Sequence, residues 1–165
     1  VRSRLPSGPL VERRHGLDAH PDLVLSGTPP EQIQRRWQEA RAGHRTMLVA
    51  EMCGVIAGTV SHEPRRYALD GALRLFALDV DENWRRRGIG TALVRAVEEA
   101  ASGQGFSAVQ LEVGVDNHQA IRLYLKLGYQ QVGEPVIERW EHWTADGSET
   151  VEELCLLMRR EVQAC

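Results

Sequence analysis

The chain has 165 residues, of which 42% are hydrophobic and 26% are charged, the balance of an ordinary globular protein rather than a disordered one. This length predicts a single domain over residues 1–165, large enough to need neither disulfides nor a structural metal for stability. The net charge of −3 argues against nucleic acid and an anionic membrane as partners.

The N-terminal part of the chain is rich in proline and glycine. We therefore expect residues 1–30 to be irregular, apart from one short strand at Leu10–Arg14. Thr28 is a candidate N-cap for a helix with Pro30 in its first turn, where the missing N–H of proline is harmless. Apolar residues then recur at helical spacing up to Gly43, which predicts the end of that helix.

Three strands are predicted in the next part of the chain. The runs 46–51 and 55–62 are apolar and are separated by a turn that contains Gly54, a pattern typical of a hairpin. After a polar loop at 64–71, a third strand is expected at Ala72–Val80. Its alternation places three apolar side chains on one face, those of Leu73, Leu75 and Ala77.

Two strand–helix units and a closing hairpin make up the rest of the predicted fold. Residues 91–102 carry an apolar stripe at helical spacing. A strand at 108–113 precedes a second helix, which Asn117 begins and Gly128 ends. The last strands are expected near 129–132, 136–143 and 151–159, with a hairpin turn around Asp146-Gly147. This order of elements indicates an α+β or mixed-sheet α/β fold.

Localisation and metal binding are judged from what the sequence lacks. No apolar run approaches the roughly 20 residues that span a bilayer, so we expect a cytoplasmic protein. The cysteines Cys53, Cys155 and Cys165 are widely spaced and form neither a disulfide framework nor a CxxC site. The six histidines show no ligand spacing such as HxxxH, so we predict no metal site.

A segment rich in glycine and arginine lies between the third strand and the helix that follows. Glycine lets backbone N–H groups approach a ligand closely, and a helix N-terminus adds unpaired donors and partial positive charge. Arginine side chains supply counter-charge for phosphate oxygens. The segment therefore predicts a pyrophosphate cradle formed by Arg85, Arg86, Arg87, Gly88, Ile89, Gly90 and Thr91.

Two other phosphate-binding loops do not fit this segment. A Rossmann fingerprint needs Gly or Ala three residues after Gly90, where Leu93 stands, and a Walker loop needs a Gly-Lys pair, which the chain lacks. The remaining alternative is structural: Gly88 and Gly90 would form only a tight turn, and the arginines would only face solvent.

The cradle also matches a family signature, Arg/Gln-x-x-Gly-x-Gly/Ala, which follows a strand ending in Val. Here the strand ends in Leu78-Asp79-Val80-Asp81, and the loop reads Arg85-Arg86-Arg87-Gly88-Ile89-Gly90. A second signature, an Asn followed by Ala, Leu-Tyr and Lys-Leu-Gly-Tyr, is present in residues 117–129. With both motifs in order, residues 46–129 resemble the GNAT superfamily of acyl-CoA N-acyltransferases.

The resemblance implies a fold and a reaction. The fold would be a GNAT-like α/β fold: a central, mostly antiparallel twisted sheet flanked by helices, with a V-shaped splay between the fourth and fifth strands. The reaction would be direct transfer of an acetyl group from acetyl-CoA to an amine in a ternary complex. The acceptor would be a small molecule, a peptide or a protein, with no metal, and homodimers are common in such folds.

The resemblance also implies roles for individual residues. The main chain of Leu78, Asp79 and Val80 would run beside the pantetheine, with the Val80 N–H facing the thioester oxygen. The backbone amides of residues 86–91 would hold the pyrophosphate. Cofactor contacts are further implied for Asn117 and Ala120, and for Tyr124, whose hydroxyl would act as general acid near the sulfur.

The general base is less clearly marked than the general acid. Some family members place a glutamate on the strand before the phosphate loop, but Arg74 stands at that position here. Glu112 is the alternative, because it matches the acidic position of enzymes resembling the bacterial ribosomal-protein alanine acetyltransferases. Alternation directs Glu112 away from its apolar neighbours, toward a cleft or toward solvent. The other candidates are His62, Glu63, Asp79 and Asp81.

Trp140, His142 and Trp143 would either line a pocket for the acceptor amine or pack against the sheet edge, so they do not identify the function.

Three hypotheses for the function remain, and the first is the acetyltransferase described above. The alternative to an enzyme is a non-catalytic acyl-CoA-binding sensor, which would need neither Tyr124 nor an acidic base. Nucleic-acid binding by the arginine loop is disfavoured by the net charge and by the lack of interleaved aromatic residues.

Overall fold

The structure, a computed structural model, describes residues 9–14 and 24–164. The expected irregularity of residues 1–8 and 15–23 and the position of Cys165 lie outside the described residues. The helices are α1 (Pro30–Arg41), α2 (Ile89–Gly103) and α3 (His118–Lys126). The strands are β1 (Leu10–Arg14), β2 (Thr46–Met52), β3 (Val55–Glu63), β4 (Ala72–Val80), β5 (Ala108–Gly114), β6 (Gln130–Gln131), β7 (Val136–Thr144) and β8 (Gly147–Glu161).

All of these strands belong to one mixed sheet in the order β1-β2-β3-β4-β5-β8-β6, with β7 also paired to β8. The β4–β5 pair is parallel, and every other described pair is antiparallel. Parallel neighbours need a crossover connection, and α2 supplies it. The predicted mixed sheet, the first hairpin and the last hairpin are therefore confirmed.

The core forms where α2 packs on β2, β3, β4 and β5. The apolar stripe of α2 is fully buried, at Leu93, Val94, Val97 and Ala101. Glu98 is a buried exception on this helix. It accepts hydrogen bonds from Tyr129 Oη at 3.1 Å and from Arg160 Nη1 at 2.5 Å. Since a buried carboxylate needs such partners, this cluster ties α2 to β8.

A bulge interrupts β4 and opens the sheet. Leu73 and Leu75 are buried as predicted, but the alternation ends at Ala77, whose φ is +52°. The β3–β4 register shifts at the same place. A bulge of this kind bends its strand and increases the local twist. As a result β4 pairs with β5 only through residues 72–74, and the two strands separate beyond, which confirms the predicted splay.

The helix boundaries follow local backbone chemistry. The predicted N-cap at Thr28 is wrong: Pro29 is the N-cap of α1 and makes no side-chain cap hydrogen bond, while proline occupies the first helical position. α2 begins earlier than the predicted residue 91 because Gly88, at φ +77°, lets the chain enter the helix directly from the loop. For α3, the cap at Asn117 is confirmed.

The helices of the described part of the chain are too short or too polar to cross a membrane.

Candidate active site

A cleft of about 680 Å³ lies where β4 and β5 diverge. One wall is β4 from Leu75 to Asp79, and the facing wall is the end of β5 with the start of α3. α1 and the β7–β8 hairpin border its outer part. The main chain of both inner strands is unpaired between them here, so the splay exposes backbone donors and acceptors to a ligand.

The predicted pyrophosphate cradle lies at the N-terminus of α2. Arg86 and Gly88 adopt φ values of +61° and +77°, a left-handed geometry typical of anion-binding turns. The first hydrogen bond into the helix runs from the Ala92 N–H to the Gly88 carbonyl at 3.0 Å. The amides of Ile89, Gly90 and Thr91 therefore have no intrahelical acceptor and remain available to an anion.

The side chains around the cradle also suit an anionic ligand. Arg85, Arg86 and Arg87 are exposed, and none of them forms an ion pair with a carboxylate of the described ranges. The guanidinium of Arg87 stacks over the Trp84 ring, 4.9 Å from its centroid. The residues present thus fit the phosphates of CoA.

The cradle and the cleft are adjacent. A Cβ placed on Gly90 would lie 3.3 Å from Leu123 on α3 and 3.8 Å from Val80 at the end of β4. Glycine at this position therefore lets the first turn of α2 pack closely against β4 and α3, whose neighbouring residues Asp79 and Tyr124 line the cleft. A ligand whose phosphates occupy the cradle would enter the cleft beside Asp79 and Asn117.

Asn117 and Tyr124 face the cleft from α3. The Asn117 side-chain oxygen accepts the Ala120 N–H at 3.2 Å, so its amide group remains free to donate to a ligand. Tyr124 is buried, with its ring edge-on to Tyr129 at 5.6 Å. Burial and the nearby Asp79 raise the pKa of Tyr124 well above its usual value. Its hydroxyl therefore stays protonated at neutral pH.

Glu112 also lines the cleft, but its carboxylate is already engaged. Its side chain is 4% exposed and accepts from Arg74 Nε at 3.1 Å. Arg66 Nε lies 3.0 Å from its other oxygen, and the Tyr67 hydroxyl donates to the same atom. Arg66 and Arg74 both reach on to Glu138 of β7. The result is a compensated network of carboxylates and guanidiniums at the cleft floor.

The other sequence candidates for a base have structural partners. Asp79 pairs with Arg36 of α1. Glu63 accepts the backbone N–H groups of Arg65 and Arg66 and shapes the loop that follows β3. Burial alone would raise the pKa of Asp81, but hydrogen bonds from the backbone of Ser26 and Asn83 outweigh it and lower that pKa. His62 is buried in β3 and is not among the residues that line the cleft.

Contacts between α1 and β7 border the outer part of the cleft. The backbone N–H of Trp143 donates to Gln32 Oε1 at 2.7 Å, and the Arg35 guanidinium lies 5.2 Å from the centroid of the Trp143 ring. Trp140 is 42% exposed and meets His142 edge-on at 5.7 Å. Both tryptophans line the cleft, as the amine-pocket hypothesis expects, while His142 does not.

Several cleft residues were missed by the sequence reasoning, notably Arg36, Glu138 and Glu153. Each reaches the cleft through a contact between distant parts of the chain, for which local spacing offers no signal. Arg74 is the partial exception, because it stands where some relatives of the GNAT type carry a glutamate. Among the described residues, no group of three or more His, Cys, Asp or Glu side chains has the arrangement of a metal site.

Comparison with known proteins identifies the family and the fold. The model of the Acetyltransferase (GNAT) family matches residues 16–129, which include the cradle and the whole of α3. N-acetyltransferase 8 of Rattus norvegicus is 39% identical over 92 residues, an alignment that covers 54% of this chain and 41% of that protein. The chain thus spans about two fifths of the length of the curated relatives it matches.

Solved structures show the same fold. The IAA acetyltransferase from Bacillus cereus superposes with a TM-score of 0.65 at 20% identity, covering 94% of this chain and 100% of that one. A GNAT superfamily phosphinothricin acetyltransferase from Sinorhizobium meliloti, solved with acetyl-CoA, has a TM-score of 0.57 at 18% identity and covers 80% and 69% of the two chains.

Proposed function

Since the chain belongs to the acetyltransferase (GNAT) family, we propose that it transfers an acetyl group from acetyl-CoA to an amine of a small molecule, peptide or protein, by direct attack in a ternary complex. The observation that carries the proposal is the position of Tyr124. Its protonated hydroxyl lies in a cleft that adjoins an exposed anion cradle. Binding alone would not require a proton donor there.

The proposed binding mode uses mostly backbone groups. The amides of residues 86–91 hold the pyrophosphate, and the arginines of the cradle supply counter-charge. The main chain of Leu78, Asp79 and Val80 runs beside the pantetheine, and Ala120 packs near it. The Asn117 amide donates to the pantetheine arm, because its oxygen is committed to the helix cap.

The chemistry requires an activated acetyl group, a donor for its carbonyl oxygen and two proton transfers. Acetyl-CoA supplies the acetyl group as a thioester. The Val80 N–H is the proposed donor to the carbonyl oxygen, where negative charge develops. Tyr124 protonates the departing sulfur, a role that suits a phenol kept neutral by burial.

A base must also take the proton of the acceptor, which is an ammonium ion at neutral pH. Glu112 is the general base that the sequence predicts. Its oxygens, however, already accept from Tyr67 and Arg74 and pair with Arg66. The pH dependence of the rate of the Glu112→Gln variant, compared with that of the wild type, tests whether this engaged carboxylate takes the proton.

Titration calorimetry with acetyl-CoA, followed by thiol release against a panel of primary amines and short peptides, tests the proposal. We expect micromolar binding and amine-dependent release of CoA. Binding without release by any amine would instead favour the acyl-CoA sensor. Failure to bind acetyl-CoA would contradict the cradle and the proposal together.

A further inference from the structure

Six carboxylates line the cleft, and five of them already have partners: Glu39, Asp79, Glu112, Glu138 and Glu141. Arginines pair with the first four, and the Thr150 hydroxyl donates to the fifth. Glu153, on β8, is the sixth. Within residues 9–14 and 24–164 its carboxylate has no ion pair or hydrogen bond, so it is the one available to a ligand.

Gly114 provides the space that Glu153 occupies. A Cβ built on Gly114 would lie 2.0 Å from Glu153 Oε1 and 2.7 Å from its Cδ. Gly114 is not among the residues with a positive φ, so its backbone conformation does not demand glycine. A side chain at this position would therefore displace the Glu153 carboxylate, which lies directly over the last residue of β5.

This location adjoins the segment that carries Asn117 and Tyr124. β5 ends at Gly114, and the chain turns there into the Asn117 cap of α3, which carries Tyr124. The turn is attached to β8 beside Glu153, because the Val115 N–H donates to the Leu154 carbonyl at 3.0 Å. Glu153, Asn117 and Tyr124 thus line one cleft from adjoining segments.

The charges around Glu153 leave it uncompensated. Glu138 of β7 is its cross-strand partner, and Glu112 faces the same region from β5. The two arginines nearby, Arg66 and Arg74, pair with Glu112 and Glu138. Burial raises the pKa of the Cys155 thiol to about 11, with further contributions from the charges of Glu153, Glu138 and Glu112. Two guanidiniums, those of Arg66 and Arg74, thus pair with two of the three carboxylates, and Glu153 has no cationic partner among the described residues.

We propose that Glu153 is the catalytic carboxylate that receives the ammonium group of the acceptor and takes its proton, an inference that rests on the proposed acetyl transfer. Loss of that proton frees the nitrogen lone pair, which forms the bond to the acetyl carbon while the carbon–sulfur bond breaks. The sulfur takes a proton from the Tyr124 hydroxyl, and the second nitrogen proton restores the phenol. Glu153 then releases its proton to solvent, so the products are an amide, the CoA thiol and one proton.

In this scheme Glu112 is a positioning residue. Its contacts with Arg66 and Arg74 hold the two guanidiniums at the cleft floor and keep them from pairing with Glu153. Replacing Glu112 would release those guanidiniums toward Glu153. Its loss would therefore lower activity indirectly, without removing the group that takes the proton.

The test compares Glu153→Gln with Glu152→Gln, a matched change at the neighbouring position, where the carboxylate pairs with exposed Arg139. Each variant is assayed by thiol release over a range of pH with the amine of the panel that the wild type acetylates fastest. Acetyl-CoA affinity is measured by calorimetry as a check on folding. A third variant, Gly114→Ala, retains the carboxylate but displaces it.

We expect Glu153→Gln to lower kcat/KM on the order of a hundredfold, the size typical of lost general-base catalysis, with acetyl-CoA affinity unchanged. It should also abolish the fall in rate at low pH, which a purely structural residue would not do. Gly114→Ala should lose activity as well, and Glu152→Gln should match the wild type.

A Glu153→Gln variant with the rate and pH profile of the wild type would overturn the inference and leave the acetyltransferase proposal standing. If the fall in rate at low pH disappeared in Glu112→Gln but persisted in Glu153→Gln, the inference would also be overturned. Glu112 would then be the residue that takes the proton. A wild-type protein that releases no CoA with any amine would overturn both proposals.

Discussion

The Arg74 guanidinium donates from Nε to Glu112 Oε2 at 3.1 Å, across the point where β4 and β5 separate. Arg74 thus occupies, with opposite charge, the strand position at which some GNAT-type enzymes carry a glutamate. Glu112 on the facing strand compensates it. The arginine at position 74 is therefore matched by a carboxylate on the facing strand. As a result Glu112, the predicted base, is one member of a buried ion-pair network.

This pairing predicts that Glu112→Gln lowers the free energy of unfolding by about 2 kcal/mol, since hydrogen bonds to a buried charge are lost and two guanidiniums lose a counter-ion. Arg74→Met should cost less, because Arg66 still compensates Glu112. Urea unfolding measures both values. Glu152→Gln, which breaks an exposed pair, is the control and should change stability little. Equal effects of the three substitutions would contradict a special role for the network.

Tyr124→Phe should lower kcat by at least about tenfold while acetyl-CoA affinity changes little. The phenol ring packs edge-on against Tyr129, and phenylalanine retains that contact. Only the hydroxyl that faces the cleft is removed, so the departing sulfur loses its proton donor. Steady-state rates together with calorimetry on the same preparation separate the two effects. An unchanged kcat would remove Tyr124 from the mechanism.

Gly90→Glu should abolish acetyl-CoA binding. The new side chain would add a negative charge among the free amides of the α2 N-terminus and would crowd Leu123 and Val80. Gly103→Glu places the same charge at the other end of α2, where a Cβ meets nothing within 4 Å. Calorimetry should therefore show binding by this control and none by Gly90→Glu. Tight binding by a folded Gly90→Glu protein would refute the cradle.

Local chemistry accounts for the parts of the fold that the sequence predicts well. The cap at Asn117, the turn at Gly88 and the buried stripe of α2 depend on neighbouring residues, whose preferences are visible in a short window. The bulge at Ala77 is different, because a non-glycine residue adopts positive φ where the register between β3 and β4 shifts. Its position could not be anticipated from the alternation of Ala72–Val80.

The acceptor side of the cleft is harder to predict for the same reason. The pairing of Glu138 with Arg66 joins a hairpin strand to a loop far away in sequence. The position of the Glu153 carboxylate over Gly114 depends on the register between β8 and β5. Such contacts depend on how distant strands and loops are aligned in the folded chain. In the sequence, the residues involved look like those of any polar surface.

The three tyrosines of the chain provide a test of the packing around the cleft. Burial raises the pKa of Tyr67, Tyr124 and Tyr129, helped by Glu112, Asp79 and Glu98 respectively. A raised pKa favours the neutral phenol in the folded state, so the stability it confers is complete below the ordinary tyrosine pKa of about 10 and is lost as pH rises above it. We expect tyrosinate absorbance to appear only as the protein unfolds in alkali, together with the loss of circular dichroism. The chain unfolded in guanidinium, the control, should titrate near the ordinary value. A tyrosine that ionises at about pH 10 while the fold persists would contradict the raised pKa of at least one of the three.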